Sequence, residues 1–185
     1  MFSIPDIRQH NSRSIKLALL QLTQAPDQLV QPATLQIPPL RDQAGYLLKE
    51  TTLEQLRQSC SPSPAVVSVN FSPPESFPLR IDVKIHRPHS TYPISERIAR
   101  IYPDGNMTGR IVTIPVLQGL GLGSGLMSGT PEVVTLIRTE YGIDSPLTHH
   151  IRDLSADGWT SRQAQNLGYD QVEPGIFTRT YNPSD

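Results

Sequence analysis

The stretch Gln118-Gly119-Leu120-Gly121-Leu122-Gly123-Ser124-Gly125 carries the residue types and spacing in this 185-residue chain that could do chemistry. It follows an apolar, mostly β-branched run, Ile111, Val112, Ile114, Val116 and Leu117, which reads as a strand. Glycines at alternate positions hold neither a strand nor a helix well, because each costs backbone entropy. They permit a tight turn that presents bare peptide N–H groups. Set against a helix N-terminus, such a turn suits a phosphate or a diphosphate. The bland reading of the same run is a glycine-rich surface turn.

The spacing separates the possible loops. The phosphate loop of nucleoside triphosphatases needs Lys-Ser/Thr after its last glycine, and Ser124-Gly125 stands there instead. The dinucleotide fingerprint G-x-G-x-x-G does not match either, since the glycines fall at every second residue from Gly119. The pattern Gln-x-x-Gly-x-Gly, at Gln118, Gly121 and Gly123, does fit. It resembles the pyrophosphate loop of the GNAT superfamily of acyl-CoA-dependent N-acyltransferases. Pro115 sits where that family often has a proline ending its fourth strand. Downstream, Ser161-Arg162-Gln163-Ala164-Gln165-Asn166-Leu167-Gly168-Tyr169 resembles the family's segment ending in Lys-Leu-Gly-Phe.

The resemblance implies an α+β domain with a mixed, mostly antiparallel central sheet flanked by helices, and acetyl-CoA or another acyl-CoA as cofactor. It implies a central strand splayed from its neighbour, with the pantetheine arm on exposed peptide groups. Val116, Leu117, Gln118, Gly119, Leu120, Gly121, Leu122, Gly123 and Ser124 become the cofactor-binding residues. The amides from Gly119 to Ser124 would hold the diphosphate, and an N–H near Val116 or Leu117 would polarise the thioester carbonyl. The family's usual acid is a tyrosine four residues before the glycine of the Leu-Gly-aromatic segment, and Ala164 stands there. Ser161, Tyr169 and Tyr141 are the substitutes near enough in sequence. His149 and His150, in a strand flanking the cleft, are candidate bases because histidine titrates near neutrality; one must point to each face. His86, on the polar face of a meander strand, is a further histidine, and Glu96 and Asp153 are the carboxylate candidates. His149, His150, Tyr169 and Ser161 are thus the catalytic set. The reaction implied is direct transfer of an acyl group to an amine carried by a small molecule or a protein. The alternative is an inactive, GNAT-like adaptor subunit.

Composition bounds the partners. A net charge of −1 gives no broad basic field for nucleic acid or an anionic membrane. The single cysteine, Cys60, excludes an internal disulfide and fits a reducing compartment. No His or carboxylate group has zinc-ligand spacing. The N-terminus lacks a secretory pattern and no apolar run approaches membrane-spanning length, so a cytoplasmic location is expected.

The elements follow from pattern. Residues 1–40, rich in Pro and Gln, read as an extension that could engage a neighbouring protein, with residues 41–185 as the acyltransferase-like domain. Within the extension Ser14 caps a short helix bearing Ile15, Leu19 and Leu22. Tyr46 to Lys49 reads as a strand, and Thr51 with Glu54 as a capping box for a helix carrying Leu53, Leu56 and Cys60. Strands are predicted over Ala65–Phe71, Leu79–His86, Arg97–Tyr102, Leu147–Leu154 and Ile176–Tyr181, with a hairpin turn at Asp104-Gly105-Asn106. Ser128-Gly129-Thr130-Pro131 interrupts the helix after the loop, which restarts through Val133, Leu136, Ile137 and Tyr141 and ends at Gly142. Thr160 to Leu167 reads as a short helix.

Overall fold

The computed structural model describes residues 3–25, 27–40, 55, 58–153 and 158–184. The expected strand at Tyr46–Lys49 and the helix start at Thr51 lie outside them. The chain opens with helix α1 (Ile4–Gln24). Its Ser3 cap and Asp6 form a reciprocal capping box, and Pro5 sits in the first turn, where a missing N–H costs nothing. The helix therefore begins well before Ser14, whose hydroxyl instead donates to the Thr34 carbonyl at 3.0 Å.

Strands β1 (Val30–Ile37), β2 (Ser61–Phe71), β3 (Leu79–His86), β4 (Pro93–Ile101) and β5 (Asn106–Thr113) make an antiparallel meander. Pro32 is tolerated in β1 because β1 is the sheet edge, and Pro62 and Pro64 lie in the part of β2 that pairs with β1 alone. After a 3-10 turn (Pro115–Leu117) come α2 (Leu122–Ser128) and α3 (Thr130–Tyr141), hinged at Gly129. Then follow β6 (Leu147–Arg152), α4 (Trp159–Asn166), β7 (Asp170–Glu173) and β8 (Ile176–Tyr181). The sheet order is β1-β2-β3-β4-β5-β6-β8-β7, with β5 and β6 the parallel pair. The fold is thus α+β with a mixed, mostly antiparallel sheet, as expected.

Two apolar clusters carry the structure. The larger packs α1, α2 and α3 on the meander, around Ile15, Leu19, Leu22, Val83, Leu126 and Ile137. The smaller joins Met127, Ile151, Ala164, Tyr169 and Phe177. Helix α1 and strand β1, expected to lie in an extension, pack with the rest: the α1 stripe is fully buried, and β1 is a strand of the same sheet. The apolar residues three and four apart in Ile15–Leu22 required a surface to cover, and the domain's own α2 supplies it.

That contact depends on glycine. A Cβ at Gly121 would lie 2.3 Å from the Arg8 carbonyl oxygen, one at Gly125 3.0 Å from Ile15, and one at Gly129 2.3 Å from the Leu19 side chain. Asn11, completely buried, bonds Gln36 in both directions (3.0 and 2.7 Å) and donates to the Leu120 carbonyl at 2.8 Å. Helix, edge strand and glycine loop are locked by one side chain.

Gly121 also has φ +87°, so alanine there meets both backbone strain and the Arg8 main chain. We expect Gly121→Ala to lower unfolding free energy by about 2–5 kcal/mol, combining left-handed strain with overpacking, read from urea denaturation midpoints.

Candidate functional site

The ladder between β5 and β6 covers only Asn106 with Thr148 and Met107 with His149. Beyond Met107 the strands part. Ile114 donates its N–H to the Ile94 carbonyl at 3.1 Å, on the β4 side. The alternate residues Gly109, Ile111 and Thr113 therefore turn their peptide groups toward the gap. The gap is a cleft of about 230 Å³, floored by Ile111, Met127 and Ile151, with Trp159 and Thr160 of α4 on its far side. It lies at the seam between the two apolar clusters: Ile111 packs against both, and Met127 belongs to the smaller.

The glycine loop borders this cleft. An added Cβ on Gly123 would touch Trp159 at 3.5 Å and Ile111 and Thr113 at 3.7 Å. The loop's carbonyls face α1: Arg8 Nε donates to Gly119 O at 2.5 Å and Asn11 to Leu120 O. Because a trans peptide points its N–H opposite to its C=O, the Gly121 amide is aimed away from α1. Helix α2 has no side-chain cap, and the amides of Gly119, Gly121, Leu122, Gly123 and Ser124 bond no described residue. Leu120 N–H is consumed by Leu117 O at 3.3 Å.

The strand ends sooner than its apolar run suggested. Pro115 starts the 3-10 turn, and Leu117 N–H donates to Ile114 O at 3.0 Å, so it cannot polarise a carbonyl. The Leu117, Leu120 and Leu122 side chains are core, and Val116 packs against it. Gln118 is exposed, and its Nε2 donates to Thr113 O at 3.2 Å. Of the nine loop residues, the main-chain groups and the partly exposed Ser124 hydroxyl are the candidates for ligand contact.

The catalytic candidates separate. His149 lines the cleft at 6% exposure. Its Nδ1 is 2.6 Å from the Tyr169 hydroxyl, which in turn is 3.2 Å from the Tyr181 hydroxyl. Its Nε2 bonds no described residue, leaving it for the cleft. Burial, then the positive charge of Arg97, then His150, holds the imidazole well below its ordinary value of 6.5, so it is neutral at pH 7. Tyr169 is buried behind His149. Burial and Tyr169 push the Tyr181 phenol up, keeping it protonated.

His150 projects from the opposite face of β6, and its Nε2 meets Asn106 Oδ1 at 2.7 Å. That bond ties β6 to the β4–β5 turn, outside the cleft. Ser161 serves the α4 N-terminus: its hydroxyl and its N–H (2.9 Å) both donate to Asp153. Tyr141 is spent on the Ser72 and Arg80 carbonyls, at 2.9 and 3.0 Å. His86 lies against the Arg87 carbonyl at 3.1 Å. Ala164 is fully buried in the smaller cluster. Sequence reasoning missed Arg97 and Tyr181. Arg97 sits in a strand buried on both faces, where Ile98 and Ala99 follow it directly, and Tyr181 ends a strand, so nothing in the sequence separates either from an ordinary strand residue.

Among the described residues no helix is long and apolar enough to cross a membrane, and no cluster of three His, Cys, Asp or Glu could hold a metal. No protein-family model matches the chain, and no curated relative matches it. Among solved structures it is similar to a cAMP-binding acyltransferase from Mycobacterium smegmatis, at 15% identity and a TM-score of 0.40. The match covers 90% of this chain and 50% of that one, so this chain spans about half the length of that protein.

The state of His149 predicts a pH dependence. Unfolded histidine binds a proton below about pH 6.5 that the folded site refuses, so stability falls as pH drops through that value. The slope from one such group is at most about 1.4 kcal/mol per pH unit. His149→Phe is expected to flatten the stability profile between pH 7 and 5, measured by denaturant midpoints at each pH.

Proposed function

We propose that the protein is an acyl-CoA-dependent N-acyltransferase of the GNAT type, acting from the cleft between β5 and β6. The observation that carries this reading is the parting of the two strands directly beside an uncapped glycine loop, with neutral His149 in the gap. The acyl-pantetheine arm runs along the peptide groups of Gly109, Ile111 and Thr113. The diphosphate meets the free amides from Gly119 to Ser124, on the side of the loop that α1 leaves open.

In the reaction the acceptor amine attacks the thioester carbon. The C–N bond forms, the C–S bond breaks, and the amine's proton passes to His149 Nε2 and on to the departing thiolate. This requires Nδ1–H to donate to Tyr169 and Tyr169 to donate to Tyr181, which leaves Nε2 bare. Ala164 contributes no proton, so His149 serves both transfers. The inactive adaptor reading rested on Ala164, the interrupted helix and the N-terminal arm; the arm counts against it, since α1 and β1 pack on their own domain, and Ala164 is met by giving both proton transfers to His149.

Calorimetric titration with acetyl-CoA tests the cofactor: binding is expected, weakened at least tenfold for S-acetylpantetheine, which lacks the diphosphate. No heat at millimolar acetyl-CoA would remove the reading. Once an acceptor is found, His149→Gln should lower kcat by about 10²–10⁴-fold, the usual yield of general acid–base catalysis, with acetyl-CoA affinity retained. An unchanged kcat would sink the role given to His149.

A further inference from the structure

Arg97 of β4 is 2% exposed and lines the β5–β6 cleft. Its Nη1 donates to the Leu126 carbonyl at 2.9 Å and the Thr130 hydroxyl at 2.7 Å, bracing the α2–α3 hinge. That structural duty occupies one nitrogen. Nη2 is buried with no hydrogen-bond partner, and Nε takes no part in the side chain's bonds to described residues. The partners of Arg97 among the described residues are a carbonyl and a hydroxyl, so no carboxylate there balances it. Guanidinium stays protonated in proteins, and a buried, uncompensated charge costs several kcal/mol. The fold keeps a cation where nothing of its own neutralises it.

The unused edge has a specific shape. Nε–H and the adjacent Nη2–H point the same way, the two-donor fork that matches the paired oxygens of a carboxylate. The surroundings agree in sign. Arg110 and Arg152 also line the cleft, and no described lining residue is acidic. The cleft's 230 Å³ is about the share of seven or eight waters at roughly 30 Å³ each, room for a small acid or acyl group beside Arg97.

We propose that Arg97 binds a ligand carboxylate in this cleft, carried either by the acyl group or by the amine acceptor. The assignment of the two carriers rests on the acyl-transfer reading; the carboxylate site does not. Trp159 is the single tryptophan of the chain and lines the same cleft, so its fluorescence reports occupancy directly.

Titrating the protein with succinate and with neutral succinamide should quench or shift Trp159 for the diacid only. Arg97→Lys, which keeps the charge but loses the fork, should weaken succinate at least tenfold, and Arg97→Met should abolish it. Equal responses to succinate and succinamide in the wild type, or unchanged succinate affinity in Arg97→Lys, overturn the proposal. If Arg97→Met does not fold, the wild-type and Arg97→Lys pair still decides. The source is separated by two further arms. Tighter binding of succinyl-CoA than acetyl-CoA, at least tenfold and lost in Arg97→Lys, places the carboxylate on the acyl group. Equal CoA affinities with acetylation of glycine favoured over methylamine, again lost in Arg97→Lys, place it on the acceptor. If no CoA thioester binds, the acyl-transfer reading falls, while the succinate comparison still decides the carboxylate site.

Discussion

The close approach of α1 to the glycine loop and α2 is the contact on which the rest of this structure depends. Gly121, Gly125 and Gly129 stand four residues apart, so they share one face of the α2 region and remove the side chains that would hold two backbones apart. Asn11 then satisfies groups of β1 and of the loop in a site with no water exposure. A buried peptide group left unpaired there costs about 1–3 kcal/mol, more than a typical hydrogen bond contributes in net terms. The helix, the edge strand and the loop therefore hold one relative position.

This arrangement decides which side of the loop is available. The carbonyls of Gly119 and Leu120 are consumed by Arg8 and Asn11. Peptide planarity then commits the Gly121 amide to the opposite side. A glycine-rich segment with no such backing would sample many conformations and lose that entropy on binding any ligand. Here the cost is met during folding, by the burial of Ile15, Leu19 and Leu22.

The cleft itself comes from a failure to pair. A two-residue parallel contact joins a five-stranded sheet to a three-stranded one, and the space beyond it falls between two separate apolar clusters. Polar groups gather at that seam because neither cluster closes over it. Arg97, His149, Tyr169 and Tyr181 are all buried there, and they interact: burial, and after it the cation, depresses the basicity of the imidazole, and Tyr169, bonded in turn to Tyr181, orients it. Their low-dielectric setting makes each charge felt by the others more strongly than at the surface.

Much of the fold is legible in the sequence alone. The alternation in Leu79–His86 and Ile176–Tyr181 matches β3 and β8, the Asp-Gly-Asn turn makes its hairpin, and Gly129 and Gly142 hinge and end α3 where their neighbours implied. These features are local: period, turn chemistry and caps are set by residues a few positions apart. The start of α1 was as local, in Ser3, Pro5 and Asp6, but the Pro- and Gln-rich stretch after it obscured that signal. What only tertiary structure decided is non-local. The same glycine spacing serves a bare peptide turn or a helix–helix contact, and only the arrival of α1 from more than a hundred residues away makes it both. Whether an arginine or a histidine ends in solvent or in a seam is set by strands distant in sequence, which is why His149 and His150 could be named together but not told apart, and Arg97 could not be seen at all.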